Sequence, residues 1–209
     1  MTDTSPSSPP SPPNPARRPR RILVGGIGLP WLRDLDFGTQ FIRRVEGEEW
    51  PEGVTVEDLS YSAHRVLHRL QELRPHKVVL VGAMPRDVDP PGTIRRYVLD
   101  LTPPSDEDVQ ERLAEAVGGV IDLDHTLAVV RYWKGFPADT VVIEVEPGDR
   151  GFGLGFSEEV EASVDEVLAL IRHEISEHAG ETPPAWPNAA EERSGMKATP
   201  GAGARESAQ

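Results

Sequence analysis

The chain has 209 residues, a formal net charge of −13 and no cysteine. That charge opposes a broad nucleic-acid or anionic-membrane surface, and the absence of thiols removes disulfide scaffolds, thiolate metal sites and cysteine nucleophiles together. No stretch approaches the roughly 18 apolar residues of a membrane span, and the N-terminus carries no apolar signal core, so the expected location is the cytoplasm.

Residues 1–20, MTDTSPSSPPSPPNPARRPR, form a Ser/Pro tract expected to be disordered, because it has too little apolar surface to offset its ordering entropy. The arginines that close it, Arg17, Arg18, Arg20 and Arg21, read as a solvated linker or an interaction patch. Ile22 to Val24 begins a strand ending in Gly25-Gly26-Ile27-Gly28. Phe37, Phe41 and Val45 recur at helical spacing after the loop Leu29 to Asp36. Val54 to Leu59 alternates as a half-buried strand. Val66, Leu67, Leu70 and Leu73 share one helical stripe that Pro75 ends. Val78 to Val81 is a continuous apolar run, as in a central strand covered on both faces. The turn Asp89-Pro90-Pro91-Gly92 leads to an edge strand, Ile94 to Leu99, whose Arg95 and Arg96 reach solvent. Helices are predicted over Asp106 to Val117 and Leu123 to Trp133, and a strand over Thr140 to Val145. A final helix follows Ser157, carrying Val160, Val164, Val167, Leu168, Ile171 and Ile175. A second disordered tail is expected over 179–209, with Trp186 its one aromatic.

This order predicts one α/β domain over 21–178. The expected architecture is a three-layer sandwich, with a mostly parallel twisted sheet of about five strands and helices on both faces. Ligands of such sheets bind beyond the carboxyl ends of the strands.

The first glycine turn is a poor dinucleotide motif, because Trp31 stands where the third glycine belongs and Pro30 lacks a donor. No P-loop and no G-x-S-x-G elbow is present. His64 and His68 have a metal-compatible spacing, yet they point away from the apolar stripe and read more simply as solvated. His125 lies where a loop becomes a helix, and Asp34 and Asp36 follow the first strand. Converging in one crevice, these three would suit nickel or zinc; otherwise the aspartates favour the coming helix N-terminus and His125 is a surface residue.

Taken in order, Arg21-Ile-Leu-Val-Gly-Gly-Ile-Gly28, Leu32-Arg-Asp-Leu-Asp-Phe-Gly38, Val78-Val-Leu-Val-Gly-Ala83, Pro91-Gly-Thr93, Asp124-His-Thr-Leu127, Gly135-Phe-Pro137, Ile143-Glu-Val-Glu-Pro147 and Gly153-Leu154 resemble the endopeptidases that mature nickel–iron hydrogenases. The resemblance implies an α/β sandwich acting on the hydrogenase large-subunit precursor, from which it removes a C-terminal extension after nickel insertion. The resemblance further implies that no cofactor is permanently bound and that the protein senses the nickel of its substrate. Of the family's three nickel-recognition positions, His125 is retained, while the acidic ligand falls on Leu35 and the aspartate on Gly82, neither of which has a donor atom. Asp34 or Asp36 is the candidate substitute. Asp58-Leu-Ser-Tyr-Ser62 stands where the family has a glycine-rich segment. Two functions follow: a maturation endopeptidase whose site uses altered residues, or a non-catalytic relative that binds the large subunit. No nucleophile or general base is assigned.

Overall fold

The computed structural model describes residues 19–177, built around one five-stranded sheet with helices on both faces. In chain order come β1 (Ile22–Ile27), a 3-10 turn (Arg33–Asp36), α1 (Phe37–Val45), β2 (Val54–Asp58) and α2 (Ala63–Leu73). These are followed by β3 (Lys77–Ala83), β4 (Ile94–Val98), α3 (Asp106–Val117), α4 (Leu123–Tyr132), β5 (Asp139–Val145) and α5 (Glu158–Ser176). The strands lie in the order β2-β1-β3-β5-β4, all parallel except β4, which runs antiparallel to β5. The chain moves from β1 outward to β2 and then crosses back to β3, so the switch point of the sheet falls between β1 and β3.

Every residue of β1 and β3 is buried, as the continuous apolar runs require of strands covered on both faces. Alternate side chains feed two cores. Val24, Val79, Val81, Val141 and Ile143 pack under α1 and α5, where Phe37 stacks on Phe41 at 5.6 Å and on Phe156 at 5.1 Å. Leu23, Val78, Leu80 and Val142 pack under α2 and α4 with Leu70, Leu123, Leu127 and Phe136. Each large side chain fully withdrawn from water contributes about 1.5–3 kcal/mol, which is what secures the helices to the sheet. α3 contributes one buried residue, Val109, and rests on α4 rather than on the sheet.

The sequence places the first turn at Gly25-Gly26-Ile27, but these residues continue β1. Their glycines serve packing: a Cβ at Gly26 would strike the carbonyl oxygen of Gly38 in α1, so helix and strand approach backbone to backbone. Arg20 and Arg21 are also not solvated linker. Arg20 pairs with Asp139 at 2.5 Å, and the Arg21 guanidinium donates to the carbonyls of Leu73 and Arg74 at the C-terminus of α2. Arg95 is drawn back to Glu146 and Arg96 to Glu174, so neither simply reaches into solvent. The expectations for residues 1–18 and 178–209, including Arg17, Arg18 and Trp186, lie outside the described residues. No described helix is long and apolar enough to cross a membrane.

Candidate functional site

Gly28 follows the last residue of β1, Gly82 lies near the end of β3 beside Ile27, and Leu123 opens α4 above them. A Cβ at Gly82 would lie 2.7 Å from the Ile27 carbonyl oxygen and 3.4 Å from Leu123 Cδ2. Backbone and leucine therefore fill the place where a carboxylate at position 82 would begin.

His125 sits in the first turn of α4. Asp122 caps that helix by accepting the His125 backbone N–H at 2.8 Å, and the imidazole is only 3% exposed. Its Nδ1 lies 2.9 Å from the Arg112 carbonyl oxygen of α3. A carbonyl only accepts, so Nδ1 carries a proton, and in the neutral imidazole the metal-ligating nitrogen is therefore Nε2. His125 is thus not the surface residue of the simpler reading. Two residues beyond Leu123, it is rotated about 200° around the helix from the side chain that covers Gly82, toward α3.

The first loop splits its two aspartates. Asp34 is fully buried and accepts four hydrogen bonds: from Gly148 N–H at 2.9 Å, Asp149 N–H at 2.7 Å, Ser157 N–H at 2.7 Å and the Ser157 hydroxyl at 2.8 Å. It fastens the loop after β5 and the start of α5, and Ser157, bound to it, makes no side-chain cap of its own helix. Asp36 turns the other way, toward β2. One of its oxygens receives a long bond from Trp31 N–H at 3.4 Å, while Oδ1 is buried without a hydrogen-bond partner. Burial pushes its carboxyl above the ordinary range, against Thr39 and the Trp31 amide, which pull it down. Between them, half-buried Leu35 engages through its backbone, its N–H donating to the Leu32 carbonyl and its own carbonyl accepting from Leu29. Asp34 and Asp36 thus do not join His125, and among the described residues no three His, Cys, Asp or Glu side chains stand together as a metal-holding group. His64 and His68 are exposed on α2.

A polar cage next to this crevice escaped the sequence reading. Glu144 and Glu146, both nearly fully buried at the end of β5, face the arginines around them. Arg86 donates to Glu144 at 3.0 and 2.8 Å and to both oxygens of Asp124 at 2.7 and 2.8 Å. Glu146 takes the Arg86 and Asp87 backbone N–H groups at 3.0 Å each and the Arg95 guanidinium. The hydrogen bonds that Arg86 donates to Glu144 and Asp124 push its pKa further up, so the guanidinium stays charged. The only hint in the sequence was the alternation in Ile143-Glu-Val-Glu-Pro147, which puts two carboxylates on one side of a strand. Above the crevice, Trp31, Phe152 and Leu154 are exposed on two loops joined by the Leu32–Gly153 bridge, with Gly153 N–H donating to the Trp31 carbonyl at 2.7 Å.

No family model matches this chain, and no curated protein matches it. Solved structures do. The hydrogenase 2 maturation peptidase of a Thaumarchaeota archaeon is 23% identical, with 74% of this chain and 97% of that one covered at a TM-score of 0.52. The hydrogenase-maturating endopeptidase of E. coli is 22% identical over 73% and 93% of the two chains, with a TM-score of 0.54. A nickel–iron hydrogenase maturation protease of Thermococcus kodakarensis is 18% identical over 76% and 94%, with a TM-score of 0.56. The chain has the fold these endopeptidases share.

Proposed function

We propose that this chain is a maturation endopeptidase-like protein of nickel–iron hydrogenases. It receives the large-subunit precursor at the carboxyl ends of the parallel strands, and His125, buried against α3 in the first turn of α4, reaches the precursor's nickel only if α3 shifts away from it. The observation that carries this reading is the His125 imidazole, whose Nδ1–H is committed to the Arg112 carbonyl, so that Nε2 is the nitrogen available to a metal in the neutral ring. The likeness of fold to hydrogenase maturation endopeptidases supports the same reading. Exposed Trp31, Phe152 and Leu154 beside the crevice supply the apolar anchors that protein partners use.

A second reading, binding without cleavage, is favoured by Gly82 and Leu35. Neither has a donor atom, and the space at Gly82 is closed by the Ile27 carbonyl and Leu123. Nickel contact then rests on one imidazole, and the precursor is held by its surface.

The test mixes the full chain with large-subunit precursor, nickel-loaded or nickel-free, and follows co-elution and intact mass. A complex that prefers the loaded precursor and is weakened by His125→Ala is expected. Loss of the C-terminal extension supports cleavage, while a stable complex of unchanged mass supports binding alone. No complex with either precursor, or a His125→Ala variant that behaves as the parent, overturns the proposal.

A further inference from the structure

β2 is an edge strand, and its outer side opens on a groove of about 840 Å³ walled by α1 and α2. The bonds at the two ends of its ladder with β1, Ile22 N–H to Gly53 O and Leu59 N–H to Gly26 O, fix the phase of the parallel pairing. Residues 53, 55, 57 and 59 turn their backbone groups toward β1. Those of Val56 and Asp58 therefore face outward, with no backbone partner among the described residues.

Edge groups of this kind are usually blunted by a covering element or by charges. Here the helices stand on either side of the edge, with Ile42, Trp50 and Tyr61 lining the walls. The charges along the groove are sorted by height. α1 descends from the carboxyl end of the sheet toward the start of β2, and α2 starts at the carboxyl end, so Arg43 and Arg65 lie nearer Asp58, whose single carboxylate takes the Ser60 N–H and hydroxyl, and Glu46 and Glu72 lie toward the opposite end. Arg69 is spent on Glu57 and Glu72. Arg43 and Arg65 are exposed and make no ion pair among the described residues; Arg65 stacks on Tyr61.

We infer that this groove captures the free C-terminal end of a partner polypeptide, added parallel to β2 as a sixth strand with its terminal carboxylate between Arg43 and Arg65. Main-chain pairing to Val56 and Asp58 supplies binding that is tolerant of sequence, and the polarity of the groove supplies the direction. An antiparallel strand would place its ammonium end beside the guanidiniums. The site lies on the far side of β1 from Gly82 and from the α4 helix that carries His125, and it requires no nickel.

The experiment uses the full chain and short fluorescein-labelled peptides of alternating valine and serine, read by fluorescence anisotropy. The peptide with a free C-terminal carboxylate should bind at least tenfold more tightly than its C-terminally amidated form. It should also bind at least tenfold more tightly than a form N-methylated at alternate amides. Arg43→Gln with Arg65→Gln, its folding verified by an unchanged circular dichroism spectrum, should abolish the preference for the free carboxylate. In hydrogen exchange, the Val56 and Asp58 amides should gain protection on binding. Equal binding of the amidated or N-methylated peptide, no binding at all, or a chain that dimerises with its Val56 amide already protected would each overturn the inference.

Discussion

Replacing Asp34 separates a clamp from a metal ligand. In Asp34→Ala, three backbone N–H groups and one hydroxyl lose a buried carboxylate acceptor. Hydrogen bonds to charged groups are worth about 1.5–3 kcal/mol each, but Asp149 is exposed and its amide regains water, so the loss is about 3–5 kcal/mol rather than the full sum. For a domain of this size that is a fall in Tm of roughly 10 °C. Asp34→Asn is the discriminating variant. An oxygen kept at the Oδ2 position still serves Gly148, Asp149 and the Ser157 hydroxyl, while the new amide faces Ser157 N–H donor to donor, for a loss of about 2 kcal/mol. Urea unfolding followed by circular dichroism measures both, and hydrogen exchange should show the Gly148, Asp149 and Ser157 amides opening first. If both variants lose less than about 1 kcal/mol while nickel-dependent binding of the precursor disappears, Asp34 is a ligand and the clamp argument is wrong.

The Asp36 carboxyl is raised by burial, so the folded state holds its proton more tightly than the unfolded chain does, and stability falls as pH rises through the folded value. Asp36→Asn should therefore raise Tm at neutral pH, with the gain vanishing below the ordinary value of 3.8; a gain constant with pH would count against this account. At the opposite end of the sheet, burial opposes the charge of Glu174, and hydrogen bonds from Lys77 and Arg96 outweigh it, holding its pKa below the ordinary 4.5. Its contribution is present above that value and is lost as pH falls through the folded one. Glu174→Gln should cost about 1.5–3 kcal/mol at neutral pH, because buried Lys77 keeps Asp139 at 3.0 Å but loses one of its two carboxylates; a loss below about 0.5 kcal/mol in thermal melts would refute this. Gly82→Ala should destabilise by about 1–3 kcal/mol, because its Cβ meets a backbone oxygen and not a flexible side chain; an unchanged unfolding midpoint would show that β1 and β3 yield there.

What the sequence revealed was periodic or local. Apolar runs at Val78 to Val81 and the stripe through Val66 and Leu70 report their own environment, so strands, helices and the mostly parallel sheet could be read directly. Asp34 could not be placed, since its partners lie 114 to 123 residues away and carry only backbone groups and a serine. The same holds for Arg20 against Asp139 and for Arg86 against Glu144 and Asp124, pairs set by the way distant strand ends meet. The orientation of His125 depended on a single carbonyl of α3, which no spacing records.

The Asp34 clamp also bears on the surface above it. Trp31 and the segment with Phe152 and Leu154 belong to opposite ends of the chain, yet one carboxylate and one short bridge tie them into a common plate. A protein docking there would find the two loop backbones already held together, so only the exposed side chains, and not the loops, would remain to be ordered on binding.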